Sequence, residues 1–186
     1  MSIAGLKITL KSYFGFNFVY AGIIALFIYA GIHLFLLKKK DIEDGSVSIR
    51  EIRWGIVLSI YLALLIGGTM LNRGVGEVCR MELMPFWSYR QYFVEKHPAL
   101  LGQMVYNVLV FVPWPFLFAQ VFSAMKRFRW AIGSAFLFSV FIEITQLVLK
   151  IGLFEFDDMF HNTLGAVIGY GILTLYSRRK QKGVDE

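Results

Sequence analysis

The sequence predicts an all-α fold, a polytopic membrane bundle of about five transmembrane helices. Three observations predict it. Hydrophobic residues make up 57% of the 186 and charged residues only 17%, whereas soluble domains run at about 45–50% apolar. Mean hydropathy is +0.60. Apolar runs of membrane-crossing length recur along the whole chain, each bounded by short polar or basic stretches, and a span needs about 20 residues at a rise of about 1.5 Å each. A bundle of this size occupies residues 1–186 as one membrane domain and leaves no room for a separate soluble one.

The first run, Phe16–Leu37, follows Lys7 and Lys11 and ends in Lys38-Lys39-Lys40. Its length, and the lack of an Ala-x-Ala-like cleavage site, make it a retained transmembrane helix and not a signal peptide. Residues 1–15 mix apolar residues with Lys7, Lys11 and Ser12, a weak amphipathic pattern that suits an interfacial segment or a frayed turn. The second run is Trp54–Leu71. The third is Gly102–Phe122, interrupted by Pro113 and Pro115, neither of which can donate a helical N–H. The fourth is Trp130–Leu149 and the fifth Met159–Tyr176. Between the second and third lies Met81–Phe93, with Trp87, Tyr89 and Tyr92. Such aromatics favour the headgroup level, and Pro85 breaks any helix there, so this segment is expected to lie on the membrane interface.

The net charge is +6, but the basic residues sit in short clusters between apolar runs, which suits topology signals and anionic headgroups better than nucleic acid. Lys38, Lys39, Lys40, Arg50, Arg53, Lys126, Arg127, Arg129, Arg178, Arg179, Lys180 and Lys182 fall on one side. That side is expected to be cytoplasmic, with the N-terminus outside and the C-terminus inside. Cys79 is the sole cysteine, which excludes an intramolecular disulfide. No metal-ligand spacing of the strong kind and no serine–histidine–acid arrangement is present, and no metal or cofactor is expected.

This topology brings polar residues that are far apart in sequence to one depth. Asn107 lies near the outer end of the third helix. Glu143 is 13 residues past Trp130, roughly 20 Å of rise, and Gln146 follows three residues later on the same face. Asp157, Asp158, His161 and Asn162 stand at the mouth of the fifth helix, and Glu82 in the interfacial loop is within reach. A carboxyl in hydrocarbon costs about 2.5–3.5 kcal/mol on insertion scales. Glu143 is therefore expected to face protein or water and to have a partner. One of the two aspartates suits an N-cap. Asp158, Asn162, Gly165 and Gly169 form a single helical stripe, expected to pack on the fourth helix through the close approach that Gly165-x-x-x-Gly169 permits.

These residues also fall in a recognisable pattern. Asn107 to Pro113 resembles the Asn–apolar–Phe–x–Pro stretch of the VanZ-like family. Ser139 to Gln146 resembles its Ser-x-x-Ile-Glu-x-x-Gln helix, and Asp157 to Gly165 its Asp-Asp-x-x-x-Asn-Thr-x-Gly motif. Leu83-Met84-Pro85-Phe86 resembles its Leu-Ile-Pro-Phe loop. The resemblance covers about residues 82–171. Two positions depart from it: Glu82 stands where many members have Asn, and Lys150 is the nearest basic residue upstream of the aspartates, where many have Arg. The resemblance implies an integral membrane protein of a bacterial, Gram-positive plasma membrane. The founding member is associated with low-level resistance to teicoplanin, a glycopeptide antibiotic.

Three functions stay open. The first is engagement of a membrane lipid or lipid-linked cell-envelope molecule, in a pocket lined by Asn107, Glu143, Gln146, Asp157, Asp158, His161 and Asn162 with Met81–Phe93 as a lid. The second is an enzyme on a lipid-linked substrate, with Glu143 or His161 as acid–base. The third is a scaffold with a structural polar network.

Overall fold

The computed structural model describes residues 18–42, 47–71 and 75–182. Helix α1 is Phe18–Ile42, and α2 is Ile49–Ile66, prolonged by a π-helical turn over Gly67–Leu71. A short strand β1, Arg80–Glu82, leads to α3, Trp87–Phe93. The third span is two helices, α4, Ala99–Phe111, and α5, Trp114–Val121. Helix α6, Phe128–Val148, strand β2, Leu153–Glu155, and α7, Phe156–Lys182, complete the described chain. Four spans, Tyr20–Lys40, Ile49–Met70, Ala99–Val121 and Phe128–Val148, are long and apolar enough to cross a membrane. The fifth expected span lies within the 27 residues of α7, which has the length but begins with a polar turn. The interfacial segment expected over residues 1–15 lies outside the described residues.

Helix α2 starts five residues before the apolar run does, because Ser48 and Glu51 form a capping box. Ser48 Oγ accepts the Glu51 N–H at 3.2 Å, and Glu51 Oε2 accepts the Ser48 N–H at 2.9 Å. Two donors of the first turn that would otherwise lack partners are thus satisfied. The break between α4 and α5 falls where expected. Pro113 and Pro115 remove two backbone donors, and the Tyr61 hydroxyl of α2 donates to Val110 O at 2.8 Å. Trp114, at the start of α5, is 2% exposed. It stacks on Phe111 and Phe118 and donates its indole N–H to Ser134 Oγ at 3.0 Å. Large apolar residues along α1, α6 and α7 remain exposed, Phe27, Leu137 and Leu175 among them, as helices facing hydrocarbon require.

Among the described residues the fold is helical except for one parallel ribbon, in which Arg80, Met81 and Glu82 pair with Leu153, Phe154 and Glu155. Parallel strands need a crossover, and here it comprises α3 through α6. The ribbon, α3, and the N-terminal ends of α4 and α7 meet at one end of the bundle, called the ribbon end below. Lys40, Arg50 and Lys126 meet at the other, the basic end.

The glycine stripe of α7 packs differently from the expectation. Gly165 and Gly169 lie against the backbone of the third span, and a Cβ on either would collide with Val108 O or Val112 O. The spacing is four residues on both segments, so the third span and α7 run parallel and in register. Of the stripe, Asn162 faces α6, where its Nδ2 donates to Ser139 Oγ at 2.8 Å. The small residues went to the helix whose carbonyls come closest, and the amide to the helix offering a hydroxyl. Gly165→Ala should destabilise the protein by about 1–3 kcal/mol, the range for forcing atoms into a packed interior. Thermal unfolding in detergent checks this, with Gly171→Ala, which meets nothing, as the near-neutral control.

Candidate functional site

The site is built around the first two turns of α7. All seven expected residues are buried there, from Glu143 and His161 at 1% exposure to Asn107 at 7%. Glu143, near the end of α6, turns inward and its Oε2 accepts the Glu155 N–H at 2.9 Å. A carboxylate thereby receives a donor from the strand that feeds α7. Three residues on, Gln146 Nε2 donates to Thr69 O at 3.0 Å, in the π-helical turn that ends α2. Gln103, one turn before Asn107 on α4, donates to Glu155 Oε1 at 3.1 Å and to Asp158 Oδ2 at 3.2 Å. Ser88 Oγ donates to Glu155 Oε2 at 3.4 Å.

Asp157 has a different task. Neither aspartate stands at an N-cap, because α7 begins at Phe156. The Asp157 carboxylate caps α3 from across the fold. Its Oδ1 accepts the Phe86 N–H at 2.7 Å and its Oδ2 the Ser88 N–H at 2.8 Å. Helix α3 has no side-chain cap of its own, so Asp157 serves its first-turn donors and places a negative charge at the positive end of the helix. Phe86 is held at φ 63°, a conformation that costs a bulky residue roughly 1–3 kcal/mol. Its ring sits edge-on to Tyr89 and Phe160.

Tyr89, one turn into α3, has its hydroxyl 2.9 Å from His161 Nε2. Burial, helped by the nearby charge of Asp157, pushes the phenol above its ordinary pKa. The phenol is therefore protonated at neutral pH and can donate. In either tautomer of His161, Nδ1 is buried without a partner among the described residues, as are Asn107 Nδ2 and Asn162 Oδ1.

Beside this network lies a cavity of about 290 Å³ between α3, α4 and α7. Its walls are Tyr89, Tyr92, Phe93, Leu101, Met104, Val105, Val108, Leu109, His161 and Leu164. Of the seven expected residues, only His161 lines it. The others are buried away from this cavity, with Glu143, Gln146, Asp157, Asp158 and Asn162 each hydrogen-bonded to a residue outside the set. The Met81–Phe93 segment does cover one side of that cavity, through α3.

Sequence reasoning missed Gln103 and Glu155, and singled out Ser139 only within the resemblance. Gln103 and Asn107 stand four apart on an otherwise apolar helix, a readable polar stripe. Glu155 alternates with Phe154 and Phe156, a strand-like signal in a run too short to weigh. Glu82 is opposite Glu155 in the ribbon and accepts the Met84 N–H at 2.9 Å. Lys150 donates to Glu77 O at 3.1 Å. Among the described residues, no group of three or more His, Cys, Asp or Glu is arranged to hold a metal ion.

A helical bundle with four apolar spans and a buried polar network at one end defines an integral membrane protein. The chain belongs to the VanZ/LLP1 family, whose model matches residues 56–177. The match takes in the ribbon, the network and all of α3 through α6, and leaves out α1. No curated protein and no solved structure gives a significant match.

Asp157→Ala removes the acceptor for two backbone donors, that of Ser88 buried and that of Phe86 partly so. It should destabilise the protein by on the order of 1–3 kcal/mol. Hydrogen exchange should localise the effect, with the amides of Phe86 and Ser88 exchanging on the order of tenfold faster and those of α5 unchanged.

Proposed function

We propose that this VanZ-like protein is a multi-pass protein of a bacterial plasma membrane whose ribbon end engages a lipid or lipid-linked molecule of the Gram-positive cell envelope. The observation that carries this is the apolar cavity walled by α3, α4 and α7, with the Tyr89–His161 pair in its wall. Apolar walls with a few fixed polar groups are what ligand sites present. A hydrocarbon chain would occupy the cavity, and the phenol and imidazole would meet the polar group that follows it. The buried network behind holds α3 in place. The excess of Lys and Arg at the basic end favours a cytoplasmic location for that end, which turns the cavity toward the outer leaflet. Binding there would alter how glycopeptides such as teicoplanin reach their targets at the surface, and so contribute to resistance.

A second reading, acid–base chemistry on a lipid-linked substrate, is favoured by the unpartnered Nδ1 of His161. Of the two acid–base candidates, His161 lines the cavity, while Glu143 is bonded to the strand behind it.

Val105 is 46% exposed and lines the cavity, so Val105→Trp should fill it without disturbing the network. Native mass spectrometry of the protein purified from a Gram-positive host should show a lipid adduct that this variant and His161→Ala lose. Teicoplanin tolerance should fall with it. An adduct and a tolerance unchanged in both variants would refute binding at this site. Release of a lipid product by wild type but not by His161→Ala would favour the enzyme.

A further inference from the structure

The basic end carries a second cavity, of about 650 Å³, between the end of α1, the start of α2, α5 and α7. Lys40, Arg50 and Lys126 line it, with Glu51 as its one acidic residue among the described residues. Glu51 is already engaged. Its Oε2 takes the Ser48 N–H at 2.9 Å and the Ser48 hydroxyl at 3.0 Å, and its Oε1 lies 3.6 Å from Lys40 Nζ. That charge offsets Lys40 and leaves the charges of Arg50 and Lys126 in excess. Arg50 is held in place by Gln120, whose Oε1 accepts from Nη2 at 3.2 Å. A fixed guanidinium beside an ammonium suits a phosphate.

The cavity does not stand alone. Leu173 lines both it and an apolar groove of about 460 Å³ that runs past Pro113, Phe116, Gly169 and Tyr176. The groove lies beside the break of the third span at Pro113, where α7 passes at Gly169. A charged cavity that shares a wall with an apolar groove fits a molecule with a phosphate at one end and a hydrocarbon chain at the other. We infer that the basic end binds an anionic glycerophospholipid, with its phosphate between Arg50 and Lys126 and an acyl chain along the Pro113–Gly169 groove. This site is separate from the cavity at the ribbon end and does not depend on what that cavity holds. Basic pockets between membrane helices are suited to such headgroups.

The test uses delipidated full-length protein in detergent, titrated with phosphatidylglycerol and phosphatidylcholine of the same chain length and followed by native mass spectrometry. Phosphatidylglycerol should bind on the order of tenfold more tightly. Arg50→Gln combined with Lys126→Gln should abolish that preference. A short-chain phosphatidylglycerol should bind more weakly than the long-chain one, and free glycerol phosphate should fail to displace either. Equal binding of the two headgroups, a preference that survives the double variant, or displacement by glycerol phosphate at concentrations equal to the lipid would each overturn the inference. Where the double variant does not fold, Lys126→Gln alone should weaken the preference, and a preference unchanged in that variant would overturn the inference.

Discussion

A carboxylate taken out of water must be given hydrogen-bond donors, and the ribbon end is organised by where its acids find theirs. Glu143 takes a backbone donor from β2, and Glu155 and Asp158 take the Gln103 amide from α4. Asp157 takes two backbone donors from α3. Each bond crosses from one element to another, so satisfying the acids also fixes the positions of α3, α4, α6 and α7. An unmade bond in such a place would leave the full desolvation cost of the group uncompensated. That cost confines the segment Met84–Phe93 to one seat on the bundle.

The rest of the bundle makes that seat possible. Gly165 and Gly169 bring α7 against the backbone of the third span, which places Gln103 within reach of Asp158. The same close approach leaves room on one side for the apolar cavity beneath α3. The second groove lies beside the proline break, toward the opposite end. The third span and α7, in contact through glycines, border both hollows.

Much of this was legible in the sequence. Apolar run length located the spans to within a few residues, and Pro113 marked the break. Alternating direction alone put Asn107, Glu143, Gln146 and the Asp157–Asn162 group at one depth, because depth depends only on rise per residue. Helix starts were less legible. A search for apolar runs passes over a polar first turn, so the Ser48–Glu51 cap and the start of α7 at Phe156 were overlooked. Partner choice was not legible either. Gly165 suits any close neighbour, and nothing local says that Val108 O will be that neighbour and not a group on α6. The ribbon failed for a related reason, since strands of three residues paired across four helices leave no periodic trace. Asp157 reads as a cap for its own helix, and only tertiary structure shows it capping another.

The central claim is that the interfacial segment is seated on the start of α7. Cysteine pairs test it most directly. In a Cys79→Ser background, Phe86→Cys with Phe160→Cys replaces rings whose centroids lie 6.1 Å apart. Phe128→Cys with Tyr170→Cys, at 5.3 Å, serves as a control at the basic end. The account predicts that a short bifunctional thiol reagent cross-links both pairs in native membranes. Cross-linking of the control pair alone would contradict it.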